Sequence, residues 1–163
     1  MKNIKKPIKK AVSFIIRNEQ GDILLIKRPP NDKDLPNVWG LPAGTLKPGE
    51  SWSEGVIRAG REKLGLDLRV GNIVNEGKLD RKSYTLYMKL FNVFLKSNNA
   101  PEVPQPFYNV TQYVDLKWSP PAKTINHLRK TAPKGSLCCT LYLISQNIID
   151  KESAKAWGVK KVI

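Results

Sequence analysis

GTLKPGESWSEGVIRAGREKLGL, residues 44–66, is the most informative segment of this 163-residue chain. Its Lys-Pro-Gly triplet at 47–49 has the composition of a tight turn, because proline fixes its φ angle and glycine accepts a positive one. Ser51 and Glu54 have the spacing of a helix-capping box. Gly65 stands where a helix would end in a left-handed residue. The segment therefore predicts a loop followed by a helix over residues 51–64.

Helical periodicity divides the side chains of this predicted helix into sectors. An apolar stripe recurs at every fourth residue, at Trp52, Val56, Gly60 and Leu64. Gly60 within this stripe predicts the close approach of another segment. Ala59, Glu62 and Lys63 form a separate sector beside the stripe. That sector therefore offers one carboxylate and one ammonium group.

The same segment resembles the catalytic motif of the Nudix hydrolases. The family pattern reads Gly, five residues, Glu, seven residues, then Arg-Glu-(apolar)-x-Glu-Glu-x-Gly-(apolar). The positions that match it are Gly44, Glu50, Arg58, Glu62, Gly65 and Leu66. Ala59 and Lys63 stand where the family has Glu, and Gly60 stands where it has an apolar residue. The resemblance implies a Nudix-like α/β/α sandwich, with a mixed β-sheet and this loop-helix motif on one side.

The resemblance also implies a metal site, since the family gathers carboxylates that bind Mg²⁺ or Mn²⁺ beside a polyphosphate. Glu62 would be the one retained metal ligand and a catalytic residue. Lys63 would supply positive charge directly to the phosphates, as a catalytic and substrate-binding residue. Glu50 and Arg58 would hold the loop against the helix. Because two carboxylates are missing, metal binding is expected to be weak or lost.

Two functions follow from this pattern. The preferred one is a Nudix-type hydrolase of a nucleoside-diphosphate-linked or other diphosphate-containing small molecule, with a weakened metal site. The alternative is a catalytically impaired Nudix-fold protein that binds a nucleotide or RNA. Ala59 and Lys63 favour the alternative, while the intact loop and caps favour retained ligand binding.

Arg28 is the candidate substrate-binding residue outside the motif. It ends a predicted strand at the expected mouth of the site, where its planar fork would clamp a phosphate. A surface ion pair is the alternative role. The polar loop over residues 29–37 is long enough to border the site. Tyr84 and Tyr87 are an odd number of strand positions apart, so at most one of them lines a pocket.

The charge of the chain is strongly positive. Lys and Arg number 28 and Asp and Glu number 14, which gives a net charge of +14. Such a field attracts polyanions. Residues 1–9 are predicted to form a basic tail, residues 10–149 the domain, and residues 150–163 a second basic tail or extension. No local basic-aromatic interleaving resembles an RNA-binding module, so nucleic acid is not the favoured partner.

Several classes of site are poorly supported. Cys138 and Cys139 are adjacent and predict reduced, buried thiols rather than a disulfide framework. His127 is the only histidine, which argues against a zinc site or a Ser-His-Asp hydrolase. The apolar runs are too short to span a bilayer, and the lysine-rich start lacks the apolar segment of a signal peptide. A cytoplasmic protein without membrane partners is expected, of undetermined oligomeric state.

Residue propensities predict the remaining elements. A turn is expected at 81–83. The predicted strands are 10–17, 23–28, 39–41, 68–74, 76–80, 84–95 and 113–118, and the predicted later helices are 122–131 and 136–149.

Overall fold

The structure is a computed structural model that describes residues 5–160 and 162. Residues 1–4 of the predicted basic tail, and residues 161 and 163, lie outside the described residues. The strands are β1 (Ile8–Ile15), β2 (Ile23–Lys27), β3 (Trp39–Gly40), β4 (Ala43–Thr45), β5 (Leu68–Asp80), β6 (Thr85–Leu95), β7 (Asp115–Ser119) and β8 (Val159–Lys160). The helices are α1 (Trp52–Leu64), α2 (Pro121–Thr131), α3 (Leu137–Ser145) and α4 (Lys151–Lys155).

The strands form two sheets. The larger sheet has the order β4-β1-β6-β5-β8, and the smaller has the order β3-β2-β7. β1 and β6 pair in parallel, whereas every other pairing in the larger sheet is antiparallel. The larger sheet is therefore mixed, as the resemblance to the Nudix hydrolases implies.

Strand alternation places apolar side chains on both faces of β1, because successive residues point to opposite sides. Ala11 and Ile15 belong to one buried cluster, with side chains of α3. Val12 and Phe14 belong to a second buried cluster, with side chains of α1. Burial on both faces produces the layered α/β arrangement, and the α1 layer carries residues 52–64 of the motif.

Some element boundaries differ from the predictions. The two strands predicted over 68–74 and 76–80 form the single strand β5, whose register shifts between Val70 and Asn75. These irregularities let one strand continue across a change in residue pattern. α3 ends at Ser145 rather than at Ile149, and β4 forms within what was predicted to be loop.

The C-terminal segment is folded over residues 150–160, rather than forming a solvated basic tail. α4 lies here, and β8 pairs with β5 through Lys78 opposite Lys160 and Leu79 opposite Val159. Ala154 is also buried. At the other end, β1 already begins at Ile8, inside the predicted tail. In the part of the chain that the structure describes, no helix combines the length and apolar character needed to cross a bilayer.

Candidate functional site

The loop and helix of residues 44–65 have the predicted caps. The Ser51 hydroxyl accepts a hydrogen bond from the Glu54 backbone N–H (3.1 Å), and the Glu54 carboxylate accepts one from the Ser51 N–H (3.2 Å). Gly65 follows α1 with a φ of 66°, in the left-handed region. The capping box and the glycine C-cap are therefore confirmed, and they fix where the helix begins and ends.

Arg58 ties the loop to the helix. Its guanidinium donates to both oxygens of Glu50 (2.7 and 2.9 Å) and to the carbonyl of Thr45 (2.8 Å). A fourth hydrogen bond, at 3.1 Å, reaches the Glu62 carboxylate one helical turn away. The hydrogen bond from Arg58 is the largest influence on Glu50 and lowers its pKa. These charge-assisted bonds give the loop a defined position over α1.

Ala59 is covered by the motif loop, whereas Glu62 and Lys63, three and four residues later on α1, are partly exposed. The Ala59 side chain is 1% exposed and belongs to the core cluster beneath the loop. A Cβ added to Gly44 would lie 2.9 Å from the Cβ of Ala59, so the loop backbone rests directly on this residue. Gly60 is also in close contact, since an added Cβ would lie 2.5 Å from Leu68, which confirms the predicted close approach.

A polar cavity of about 190 Å³ lies between the motif and the loop that follows β2. Arg28 and Lys63, the two candidate phosphate-binding residues, both line it. The cationic side chains around the cavity are Lys9, Arg28, Lys33, Lys63 and Arg81, and the acidic ones are Asp32 and Asp34. The cavity is therefore predominantly basic.

Both carboxylates of the cavity already have partners. Asp32 accepts hydrogen bonds from the backbone N–H groups of Leu35 (2.9 Å) and Asp34 (3.1 Å), and its other oxygen lies 3.2 Å from Arg28. Although burial opposes the charged carboxylate, these bonds and the Arg28 charge together lower the pKa of Asp32. Asp34 accepts a hydrogen bond from the Tyr84 hydroxyl (3.1 Å). Because both carboxylates already have partners, the cavity remains predominantly basic.

Lys63 is a poorly solvated cation in this cavity. Burial, with a further contribution from the Arg28 guanidinium, lowers the pKa of Lys63 from 10.5 to about 8. Its ammonium lies 5.1 Å from the ring centroid of Tyr113. Burial raises the pKa of Tyr113 to about 12, and the hydroxyl is held by the backbone N–H and carbonyl of Ala43. The charges of Asp32 and Glu62 offset part of this lowering of the pKa. Among the described residues, however, no carboxylate lies within ion-pair distance of Lys63.

The residues present do not fit a divalent metal held on α1. Ala59 supplies no donor, Lys63 is a cation, and the Glu62 carboxylate is paired with Arg58. Within residues 5–160 and 162, no group of three or more His, Cys, Asp or Glu side chains converges on a point. Hard cations require several oxygen ligands, and one engaged carboxylate does not supply them.

Sequence reasoning missed several residues of the cavity. Asp32 and Lys33 come from the 29–37 loop, which was predicted to border the site although neither residue was singled out. Thr111 comes from another loop, and Tyr113 comes from the segment before β7. Lys9 comes from β1, where strand alternation places the adjacent Lys9 and Lys10 on opposite faces. Of the two tyrosines predicted to face opposite ways, Tyr84 lines the cavity. The cysteines Cys138 and Cys139 are free and buried, as predicted.

Comparison with known proteins is consistent with this geometry. The family model described as NUDIX domain matches residues 7–137. A Bacillus subtilis (strain 168) protein named "Putative 8-oxo-dGTP diphosphatase" is 30% identical over 109 residues, which are 67% of this chain and 64% of that protein. The match thus spans less than two thirds of the relative's length.

Solved structures share the fold at low sequence identity. The MutT protein from Methanosarcina mazei Go1 superposes with a TM-score of 0.63 and 22% identity, over 78% of this chain and 85% of that one. The E. coli ORF135 protein superposes with a TM-score of 0.65 and 20% identity, over 86% of this chain and 92% of that one. A C. elegans Ap4A hydrolase superposes with a TM-score of 0.58 and 20% identity, over 73% of this chain and 85% of that one. At these identities the likeness shows the fold alone.

Proposed function

The chain belongs to the Nudix family, and we propose that it binds the phosphate groups of a nucleotide derivative without needing a divalent metal. The binding site is the cavity lined by Arg28 and Lys63. The observation that carries this proposal is the position of the Lys63 ammonium, which lines the cavity together with the Arg28 guanidinium. Two fixed cations then supply the positive charge that metal ions supply elsewhere in the family.

The electrostatics of the cavity favour an anion. Lys63 is destabilised as a cation, because burial and Arg28 lower its pKa from 10.5 to about 8. A shift of this size corresponds to about 3 kcal/mol of free energy. A bound phosphate would relieve part of that cost, since it lies close to both cations and replaces lost hydration. Arg28 offers a planar donor fork and Lys63 a point charge, which suit adjacent phosphate oxygens.

The volume of the cavity indicates that the ligand occupies two adjoining spaces. A volume of about 190 Å³ accommodates phosphate groups but is smaller than typical sites for a whole small molecule. A neighbouring groove of about 680 Å³ shares Asp32, Lys33, Thr111 and Tyr113 with the cavity. Apolar residues line it further out, at Pro29, Pro104, Val110 and Val114. This groove is where we place the organic part of the ligand.

Hydrolysis is the second candidate function. The Glu50–Arg58 contacts that position the motif loop are intact, and Glu62 remains one turn from Arg58. In this alternative a water molecule attacks a phosphorus atom of the diphosphate linkage, the bond from that phosphorus to the bridging oxygen breaks, the bridging oxygen leaves with the other phosphate group, and the protons of the water are released to solvent. Glu62 is the only carboxylate in the helix sector of Ala59, Glu62 and Lys63. The intact Glu50–Arg58 contacts support this candidate. The side chains around Glu62 do not support it, because they lack the oxygen ligands that a divalent metal needs.

Binding and turnover of the same ligands separate the two candidates. We would incubate the protein with 8-oxo-dGTP and with Ap4A, the compounds in the names of two similar proteins, and include pyrophosphate as a minimal probe. A ligand-dependent rise in melting temperature in chelator, without new products by ion-exchange chromatography in Mg²⁺ or Mn²⁺, is expected. Products that appear only with metal would favour hydrolysis.

A charge-matched pair of variants identifies the site. Lys63→Met removes the cavity ammonium while keeping a long unbranched side chain. Lys123→Met removes the same charge from an exposed position on α2. The melting shift should disappear in the first variant and persist in the second. Equal shifts in both would contradict binding in this cavity.

A further inference from the structure

A row of basic residues crosses the larger sheet on the face opposite the cavity. Lys10 of β1 is directly paired with Tyr87 of β6, Tyr87 with Lys78 of β5, and Lys78 with Lys160 of β8. Directly paired residues share a face of the sheet, and Lys9, the residue before Lys10, lines the cavity on the other face. Since neighbouring strands are about 4.8 Å apart, the row extends about 14 Å.

Two aromatic rings lie against this row. Trp52, the first residue of α1, meets Tyr87 edge to face, with ring centroids 5.3 Å apart. The ammonium groups of Lys89 and Lys10 lie 4.7 and 5.8 Å from the Trp52 ring centroid, and that of Lys78 lies 5.3 Å from the Tyr87 centroid. Both rings are partly exposed. We call this surface of Lys10, Trp52, Lys78, Tyr87, Lys89 and Lys160 the basic-aromatic face.

The positive charge of the basic-aromatic face is only partly neutralised. Lys89 and Lys160 lie 3.6 and 2.9 Å from carboxylates. Lys10 and Lys78 form no ion pair with a carboxylate of the described residues. Lys78 also stands directly opposite Lys160, and like charges in that arrangement are unfavourable. An anionic partner would stabilise this surface.

We propose that the basic-aromatic face binds single-stranded nucleic acid. Such strands combine a phosphate backbone, which lysines attract, with unpaired bases, which stack on aromatic rings. The lysines of the basic-aromatic face, which come from four strands, provide the first feature, and the rings of Trp52 and Tyr87 provide the second. A net charge of +14 attracts the strand from a distance. The residues come from four strands and one helix, so no local sequence pattern revealed the surface.

Salt dependence provides the quantitative test. The affinity of the full chain for a fluorescent single-stranded 12-mer, as RNA and as DNA, would be measured by anisotropy at several salt concentrations. Each phosphate contact contributes a slope of about −0.7 to the log-log plot for single strands. Lys10→Ser with Lys78→Ser should therefore make the slope shallower by about 1.4. A control, Lys123→Ser with Lys130→Ser, removes equal charge from exposed positions on α2 and should leave the slope unchanged.

Stacking distinguishes a nucleic-acid site from a general polyanion surface. Tyr87→Leu removes a ring face and should weaken binding about 5- to 100-fold, the range expected for one stacked base. Equal slopes in the two double variants would overturn the proposal. The proposal would also be overturned if Tyr87→Leu bound the 12-mer as tightly as the parent and inorganic polyphosphate or anionic lipid vesicles competed with the 12-mer equally well. The rise in melting temperature caused by pyrophosphate should persist in the Lys10 and Lys78 variant. Binding in the cavity and binding to the basic-aromatic face are therefore tested independently.

Discussion

Replacement of Lys63 by methionine should stabilise the protein at neutral pH. The ammonium of Lys63 is destabilised by burial and by Arg28, which lower its pKa from 10.5 to about 8. At pH 7 the group is protonated in both the folded and unfolded states, so the full cost of the shift is present. That cost is about 3 kcal/mol, and Lys63→Met removes it.

The pH dependence has a definite sign. Between pH 8 and pH 10.5 the folded state has released the Lys63 proton while the unfolded state still binds it. The free energy of unfolding therefore rises with pH over this window, because the unfolded state binds more protons. The advantage of Lys63→Met over the parent should shrink by about 2 kcal/mol between pH 7 and pH 10.

Urea denaturation at pH 7 and pH 10 measures this difference. Lys123→Met, at an exposed position of α2, serves as the control, and its stability relative to the parent should change little between the two pH values. Subtracting the parent at each pH cancels the titration of every other group. If the stability advantage of Lys63→Met is absent at pH 7, or equally large at both pH values, the Lys63 ammonium is not destabilised in the folded protein.

Three further substitutions test the packing and the ion pairs of the site. Gly60→Leu should lower the melting temperature, at a cost of about 1–3 kcal/mol, since its Cβ would lie 2.5 Å from Leu68; a higher melting temperature would show that nothing packs closely there. Glu50→Gln should reduce the free energy of unfolding in urea by about 1–3 kcal/mol, because Arg58 loses the charge of its 2.7 and 2.9 Å partner. Glu62→Gln should leave pyrophosphate affinity in chelator nearly unchanged by calorimetry, whereas a roughly hundredfold fall in a measurable kcat would favour hydrolysis.

Local rules predicted the loop and helix well. The turn triplet, the Ser51 and Glu54 capping box and the Gly65 C-cap all depend on neighbours within a few residues. Periodicity gave the sector of Ala59 but not its burial, because an angular position on a helix does not reveal what packs above it. The Gly44 backbone covers Ala59, and that contact belongs to tertiary structure.

The two candidate binding surfaces depend on strand register. Lys9 and Lys10 are adjacent in sequence, yet one lines the cavity and the other lies on the basic-aromatic face. Tyr84, whose ring lies beside the Lys9 ammonium, and Tyr87, which pairs with Lys10, were expected to face opposite ways. Which face Tyr87 occupies follows from the pairing of β1 with β6. Parallel pairing across more than 70 residues has no local sequence signal.

The metal dependence of pyrophosphate binding shows whether fixed cations or metal ions supply the positive charge of the cavity. Pyrophosphate would be titrated by calorimetry into the parent and into Lys63→Met, in chelator and in excess Mg²⁺. Because Arg28 and Lys63 supply the positive charge themselves, the parent should bind in chelator, with an affinity that Mg²⁺ does not increase, and Lys63→Met should bind much more weakly in both buffers. Binding of the parent only in Mg²⁺, with Lys63→Met unaffected, would show that a metal ion and not Lys63 supplies that charge.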